Sequence, residues 1–121
     1  MAKTKQLLAN TQIIHEFIVQ NTANYFRNQG FKTYSTSGKV PDMFITDSDG
    51  RFYAIEVLAS TAFLRRKVAK KIKQYDKEDI DGLYIIVPRG YKAGLMNEFA
   101  KYRVVFLSFD DLEEDDFVGQ F

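Results

Sequence analysis

Residues Val40 to Lys73 read VPDMFITDSDGRFYAIEVLASTAFLRRKVAKKIK. The stretch predicts strand, turn, strand, helix. Pro41 and Asp42 open a strand that runs from Val40 to Thr46, and a proline is tolerated at a strand start because its missing N–H is not needed there. Asp47-Ser48-Asp49-Gly50 has tight-turn chemistry, so this strand pairs as a hairpin with the next, Arg51 to Leu58. In that second strand Tyr53, Ile55 and Val57 point one way, and Phe52, Ala54, Glu56 and Leu58 point the other. Apolar residues on both faces predict a central strand covered on both sides. Glu56 then stands on an apolar face, where a carboxylate costs free energy unless it is paired or metal-bound. With Asp42 on one strand and Glu56 on the other, the hairpin brings two carboxylates to one sheet edge, the donor type that a hard divalent cation takes.

The helix that follows has Ser60 or Thr61 as its expected cap. Leu64, Val68, Ile72 and Tyr75 recur at helical spacing and form its buried stripe, with the cations beside or opposite it. From Arg65 to Lys73 there is no acidic residue. Exposed helices ordinarily mix charge signs to gain pairing between neighbours. The unmixed run Arg65, Arg66, Lys67, Lys70, Lys71, Lys73 instead suits phosphate contacts with a nucleic acid.

Upstream, about Thr4 to Asn28 reads as one long helix or two with a break, on the recurrence of Leu7, Leu8, Ile14, Ile18 and Tyr25. Gly30 supplies a left-handed stop. Phe31 to Thr36 is a strand and Ser37-Gly38-Lys39 a turn. Downstream, Leu83 to Val87 is a buried strand parallel to the one carrying Glu56. A helix over about Lys92 to Lys101 and a last strand, Arg103 to Phe109, follow. The expected fold is α/β: a mixed sheet flanked by helices, in one domain spanning residues 1–121.

Composition bounds the chemistry. The 121 residues are 45% hydrophobic and 27% charged, with no Cys and a single His, His15. A disulfide framework, thiol catalysis and Cys- or His-rich metal sites are thereby excluded. His15 reads as a helix-surface or partly packed residue. No apolar run approaches membrane-spanning length and no signal peptide precedes the first helix, so the chain reads as cytoplasmic with no membrane partner. A net charge of +1 hides a segregation of the basic helix from an acidic end, Asp110, Asp111, Glu113, Glu114, Asp115 and Asp116. That end reads as a solubilising tail, as a segment lying on the basic surface, or as the contact for a protein partner.

Pro41-Asp42 followed by Glu56, within a helix–hairpin–helix–strand order, resembles the PD-(D/E)XK nuclease superfamily, whose fold is restriction-endonuclease-like. The layout is most similar to the small archaeal and viral Holliday-junction resolvases. Glu56-x-x-x-Ser60-Thr61 followed by the basic helix ending in Lys71-x-x-x-Tyr75 is also similar to nuclease-like domains of plasmid replication and mobilisation proteins. The resemblance implies Mg²⁺ or Mn²⁺ held by Asp42 and Glu56, with Glu16 from the first helix as a third carboxylate. It implies a DNA substrate and leaves room for a homodimer. The sequence departs from the motif at Leu58, where the family has Lys. Some members supply that cation from the following helix, which makes Lys71 the expected substitute and Lys67 the next. Two readings follow: a divergent metal-dependent deoxyribonuclease, or a catalytically inactive nuclease-like module that binds DNA in plasmid or viral replication.

Overall fold

The structure, a computed structural model, describes residues 2–36 and 41–112, and for residues 2–11 the backbone alone. Its elements are α1 (Ala2–Asn28), β1 (Lys32–Ser35), β2 (Met43–Thr46), β3 (Phe52–Val57), α2 (Leu64–Tyr75), β4 (Gly82–Val87), α3 (Lys92–Glu98) and β5 (Val104–Ser108). A helical turn over 109–112 follows. The five strands lie in sequence order. β1, β2 and β3 are antiparallel neighbours, and β3, β4 and β5 run parallel. The sheet is mixed, as expected, and β3 is its centre. Among the described residues no helix is long and apolar enough to cross a membrane.

Period-two alternation along the strands builds two apolar layers. Met43, Ile45, Ile55, Val57 and Ile86 face α1, where they pack with Ile18, Ala23 and Phe26. Ala54, Leu83, Ile85 and Val87 face the other way, onto Leu64, Val68, Ile72 and Tyr75 of α2 and Leu95 of α3. The stripe expected for α2 is the stripe observed.

α1 is one unbroken helix. It stops where Gly30 takes a φ of 94°. The N–H of Phe31 bonds to the carbonyl of Phe26 at 2.9 Å, and that of Gly30 to Arg27 at 3.0 Å. This pairing closes the last turn, and the contact between the Phe26 and Phe31 rings accompanies it. Ile14, expected in the apolar stripe, is exposed, as are Ile13 and Phe17. Ile14 lies one helical turn before Ile18, which among the described side chains is the first of α1 in the buried apolar layer. The expected Ser37–Lys39 turn, the Leu7 and Leu8 side chains and the acidic residues Glu113 to Asp116 lie outside what is described.

The β2–β3 hairpin closes as its turn residues require. Asp47 Oδ1 accepts the N–H groups of Asp49 and Arg51, both at 2.9 Å, and Gly50 sits at φ 80°. Several expected boundaries shift, most of them by one residue. β2 begins at Met43, so Pro41 and Asp42 precede the strand. α3 ends at Glu98 rather than Lys101. α2 has neither Ser60 nor Thr61 as its cap: a turn intervenes, the Ser60 hydroxyl accepts the Ala62 N–H at 3.1 Å, and the helix starts after Phe63. Phe63 adopts φ 53°, ψ 35° with no side-chain cap bond. That left-handed conformation costs a residue with a Cβ about 1–2 kcal/mol.

Candidate functional site

The site grows from the end of the β2–β3 ladder. Met43 pairs with Ile55, so Asp42 falls opposite Glu56, one step past the last backbone pair. There side chains replace the ladder. Glu56 Oε1 accepts the Asp42 N–H at 3.0 Å, and Asp42 Oδ2 accepts the Val57 N–H at 2.7 Å. This exchange explains why Asp42 is not part of β2: its N–H bonds to a carboxylate instead of to a strand carbonyl. Both acids thus meet at one edge of the sheet, as the hairpin reading requires.

Glu56 is enclosed, its side chain 3% exposed. Alternation along β3 points it toward α2, and there Lys71 Nζ forms an ion pair with Oε2. Lys71 is three residues after Val68 and four before Tyr75, so it occupies a place within the buried stripe of α2. Burial raises the Glu56 pKa. Lys71 opposes that rise, the nearby Asp42 charge adds to it, and the Asp42 N–H opposes it. Leu58, the next residue on the same face, packs against the apolar layer under α2 and α3. The cation that meets Glu56 therefore comes from α2.

On the other side of the sheet edge, His15 Nε2 lies 3.3 Å from Asp42 Oδ1. His15 is partly packed, one of its two expected placements, and faces Asp42, with its side chain 30% exposed. Glu16 is turned away from the acid pair. Its carboxylate is 67% exposed and lies 3.8 Å from His15 Nδ1, so the imidazole stands between Glu16 and Asp42. The result is one polar chain across the sheet edge, Lys71–Glu56–Asp42–His15–Glu16.

Tyr75 completes the α2 side of the site. The residue is 7% exposed, and its buried hydroxyl has no hydrogen-bond partner among the described residues. Burial first, then the charges of Glu56 and Asp42, push its pKa far upward, so it stays a neutral donor. An unpaired buried hydroxyl costs about 1–3 kcal/mol. Tyr75→Phe is accordingly expected to leave stability unchanged or to raise it by up to that amount, read as the midpoint of denaturant unfolding. A lowered midpoint would mean that the hydroxyl has a partner, such as a water shared with Glu56.

The six cations of the basic helix do different things. Lys71 is turned inward to Glu56, so it does not belong to the solvent-facing set in which the sequence reading also placed it. Arg65 pairs with Glu98 of α3. Arg66 lies over the Phe63 ring, 5.3 Å from its centroid. Lys67 is half-buried, and Lys70 and Lys73 are exposed; none of these three forms an ion pair among the described residues. At the acidic end, Asp111 is structural. It pairs with Lys92 at 2.9 Å and accepts the Ser108 N–H at 2.8 Å.

No group of three or more His, Asp or Glu side chains is arranged to hold a metal among the described residues. Two adjacent carboxylates nevertheless fit Mg²⁺, which keeps several waters and is ordinarily held by one or two carboxylates together with substrate phosphates. A cleft of about 350 Å³ bordered by Tyr75, Asp76, Glu78, Lys101 and Arg103 opens at the start of β4, ahead of Ile85, the partner of Glu56.

Comparisons of the chain with family profiles, curated proteins and solved structures return no match. What the fold and site define is an α/β chain with a mixed five-stranded sheet, carrying a buried acid pair and a helix-borne lysine at one sheet edge.

Proposed function

We propose that the chain is a divergent metal-dependent deoxyribonuclease of the PD-(D/E)XK type. The observation that supports this reading is the ion pair between Lys71 and Glu56 beside Asp42. Asp42 from the start of the hairpin, Glu56 of β3 and Lys71 of α2 together supply the residue types of the acid–acid–lysine motif. Asp42 and Glu56 would hold Mg²⁺ or Mn²⁺. The chemistry such an ion supplies when bound is polarisation of the phosphoryl group and a lowered pKa of water.

The chain's own residues would do the rest. Lys71 would move its ammonium from Glu56 toward the phosphoryl oxygens as negative charge builds there. Asp42, fixed by the Val57 N–H and backed by His15, would present one carboxylate oxygen at a set position. Tyr75 Oη offers a neutral donor beside the acids. The solvent-facing cations Arg66, Lys70 and Lys73 would neutralise neighbouring phosphates. The test is cleavage of linear, branched and single-stranded DNA with Mg²⁺ or Mn²⁺. Cleavage that EDTA abolishes and that Asp42→Asn removes is the expected result.

A second reading has its own support. Every oxygen of the acid pair already has a partner: Val57 N–H and His15 on Asp42, Asp42 N–H and Lys71 on Glu56. Such a set closes a sheet edge without any metal, which suits a nuclease-like module that binds DNA and does not cut it. DNA binding without cleavage of any of the three substrates decides for that module.

A further inference from the structure

We infer that Phe63 and Tyr91 form a stacking platform for an unpaired base of a nucleic acid, with Arg66 beside it for the adjoining phosphate. The inference rests on the proposed action on DNA and narrows its substrate to DNA with a single-stranded segment.

Several observations converge on this surface. Phe63 is 70% exposed and Tyr91 43%. Both line one groove of about 570 Å³ together with Arg65, Arg66 and Glu98. Phe63 is the one non-glycine residue with positive φ among the described residues. Strained backbone of this kind persists where surrounding structure holds it, and it gathers at functional sites; here it puts an apolar ring into solvent. The guanidinium of Arg66 already lies over that ring, and the N-terminus of α2 beside it has no side-chain cap. Glu98, the acid in the groove, is neutralised by Arg65. An exposed aromatic ring with an adjacent arginine suits the flat face of a base and its phosphate.

The groove also stands at the site's end of the sheet. Phe63 follows β3 past Glu56 and Tyr91 follows β4 past Val87, so both come from the connections that leave the C-terminal ends of the parallel strands. A strand stacked there would continue toward Asp42 and Glu56.

The test is a fluorescence-anisotropy titration of the full chain in EDTA with a short single-stranded oligonucleotide and with the duplex of the same sequence. A single-stranded probe carrying 5-iododeoxyuridine is then photocrosslinked to the chain. Phe63→Ala is expected to weaken single-strand binding by about 5- to 150-fold, the loss of one stacked base, and to leave duplex binding unchanged. Crosslinks are expected at Phe63 or Tyr91. Phe63→Gly accepts the left-handed backbone without strain. It should melt higher than the wild type while binding single strands as weakly as Phe63→Ala, which separates loss of stacking from loss of fold. Lys70→Glu with Lys73→Glu should weaken both ligands and reduce the salt dependence of each. Wild-type single-strand affinity in Phe63→Ala, or crosslinks that avoid both rings, overturns the platform. If duplex binding persists in that case, the nuclease reading stands without it. Binding of neither ligand overturns both.

Discussion

Lys71→Met is expected to destabilise the folded chain by about 3–5 kcal/mol near neutral pH, the scale for removing one partner of a buried ion pair. The methionine keeps most of the apolar stem, so the loss reports the charge. What remains is Glu56, enclosed on a face shared with Ala54 and Leu58, with only the Asp42 N–H to satisfy it. The effect depends on pH with a definite sign. Burial already raises the Glu56 pKa in the folded chain, and removing Lys71 raises it further. Between the unfolded and folded pKa values the folded chain binds more protons, so stability falls as pH rises through that window. The gap between variant and wild type should therefore be widest at neutral pH and should close as acid protonates Glu56. Denaturant midpoints measured across pH would show this. A gap that does not depend on pH would mean that Lys71 acts by packing alone. Leu58→Lys in the same background places an ammonium on the Glu56 face from the strand, and most of the lost stability should return.

Asp42→Asn should lower metal-dependent cleavage sharply, because it removes the charge of one of the two carboxylates that would hold the ion. The amide oxygen can still accept the Val57 N–H, which bonds to Asp42 Oδ2 at 2.7 Å, so unfolding midpoints should stay near the wild type. Asp42→Ala is less informative because it orphans that N–H and adds about 1–3 kcal/mol of destabilisation. Single-turnover cleavage measured beside the unfolding curve separates the two effects. An Asn variant that cuts as fast as the wild type would remove Asp42 from the chemistry and leave it as a closure of the β2–β3 edge.

Much of this arrangement was legible in the residues. The hairpin followed from Asp47 to Gly50, the two-sided cover of β3 from its alternation, and the face of Glu56 from its even-numbered neighbours. Lys71 was expected at the site through the family resemblance, with Lys67 as the next candidate; its pairing with Glu56 depends on how α2 docks on the sheet. Other features were hidden for physical reasons. His15 lies three residues before Ile18, on the inward side of α1, but the phase of a helix whose first half carries exposed Ile13 and Ile14 cannot be read from apolar spacing. Glu16 was expected at the site through the resemblance, and sequence order does not tell which of two adjacent side chains turns toward the sheet. Ser60 and Thr61 have cap chemistry, and the turn that places the helix start at Leu64 depends on a left-handed Phe63 that no local preference favours. The unmixed basic run suggested one surface, yet tertiary partners divide it among Glu56, Glu98, Phe63 and solvent.

The connections on either side of β3 differ in length, and that difference orders the assembly of the site in time. β2 and β3 are joined by the tight turn after Thr46, whereas β3 reaches β4 only through residues 58–81, with α2 among them. Short hairpins close in about 1–10 μs, and pairings across long crossovers wait on larger loop entropy. Asp42 and Glu56 are thus brought together while Lys71 is still on an undocked segment, and the two negative charges meet before their counter-charge arrives. Docking of α2 both completes the sheet and relieves that repulsion, so it is the step that commits the chain to its native state. Pulse-labelled hydrogen exchange during refolding would record this as protection in β2 and β3 ahead of β4, and simultaneous protection of all three would refute the order.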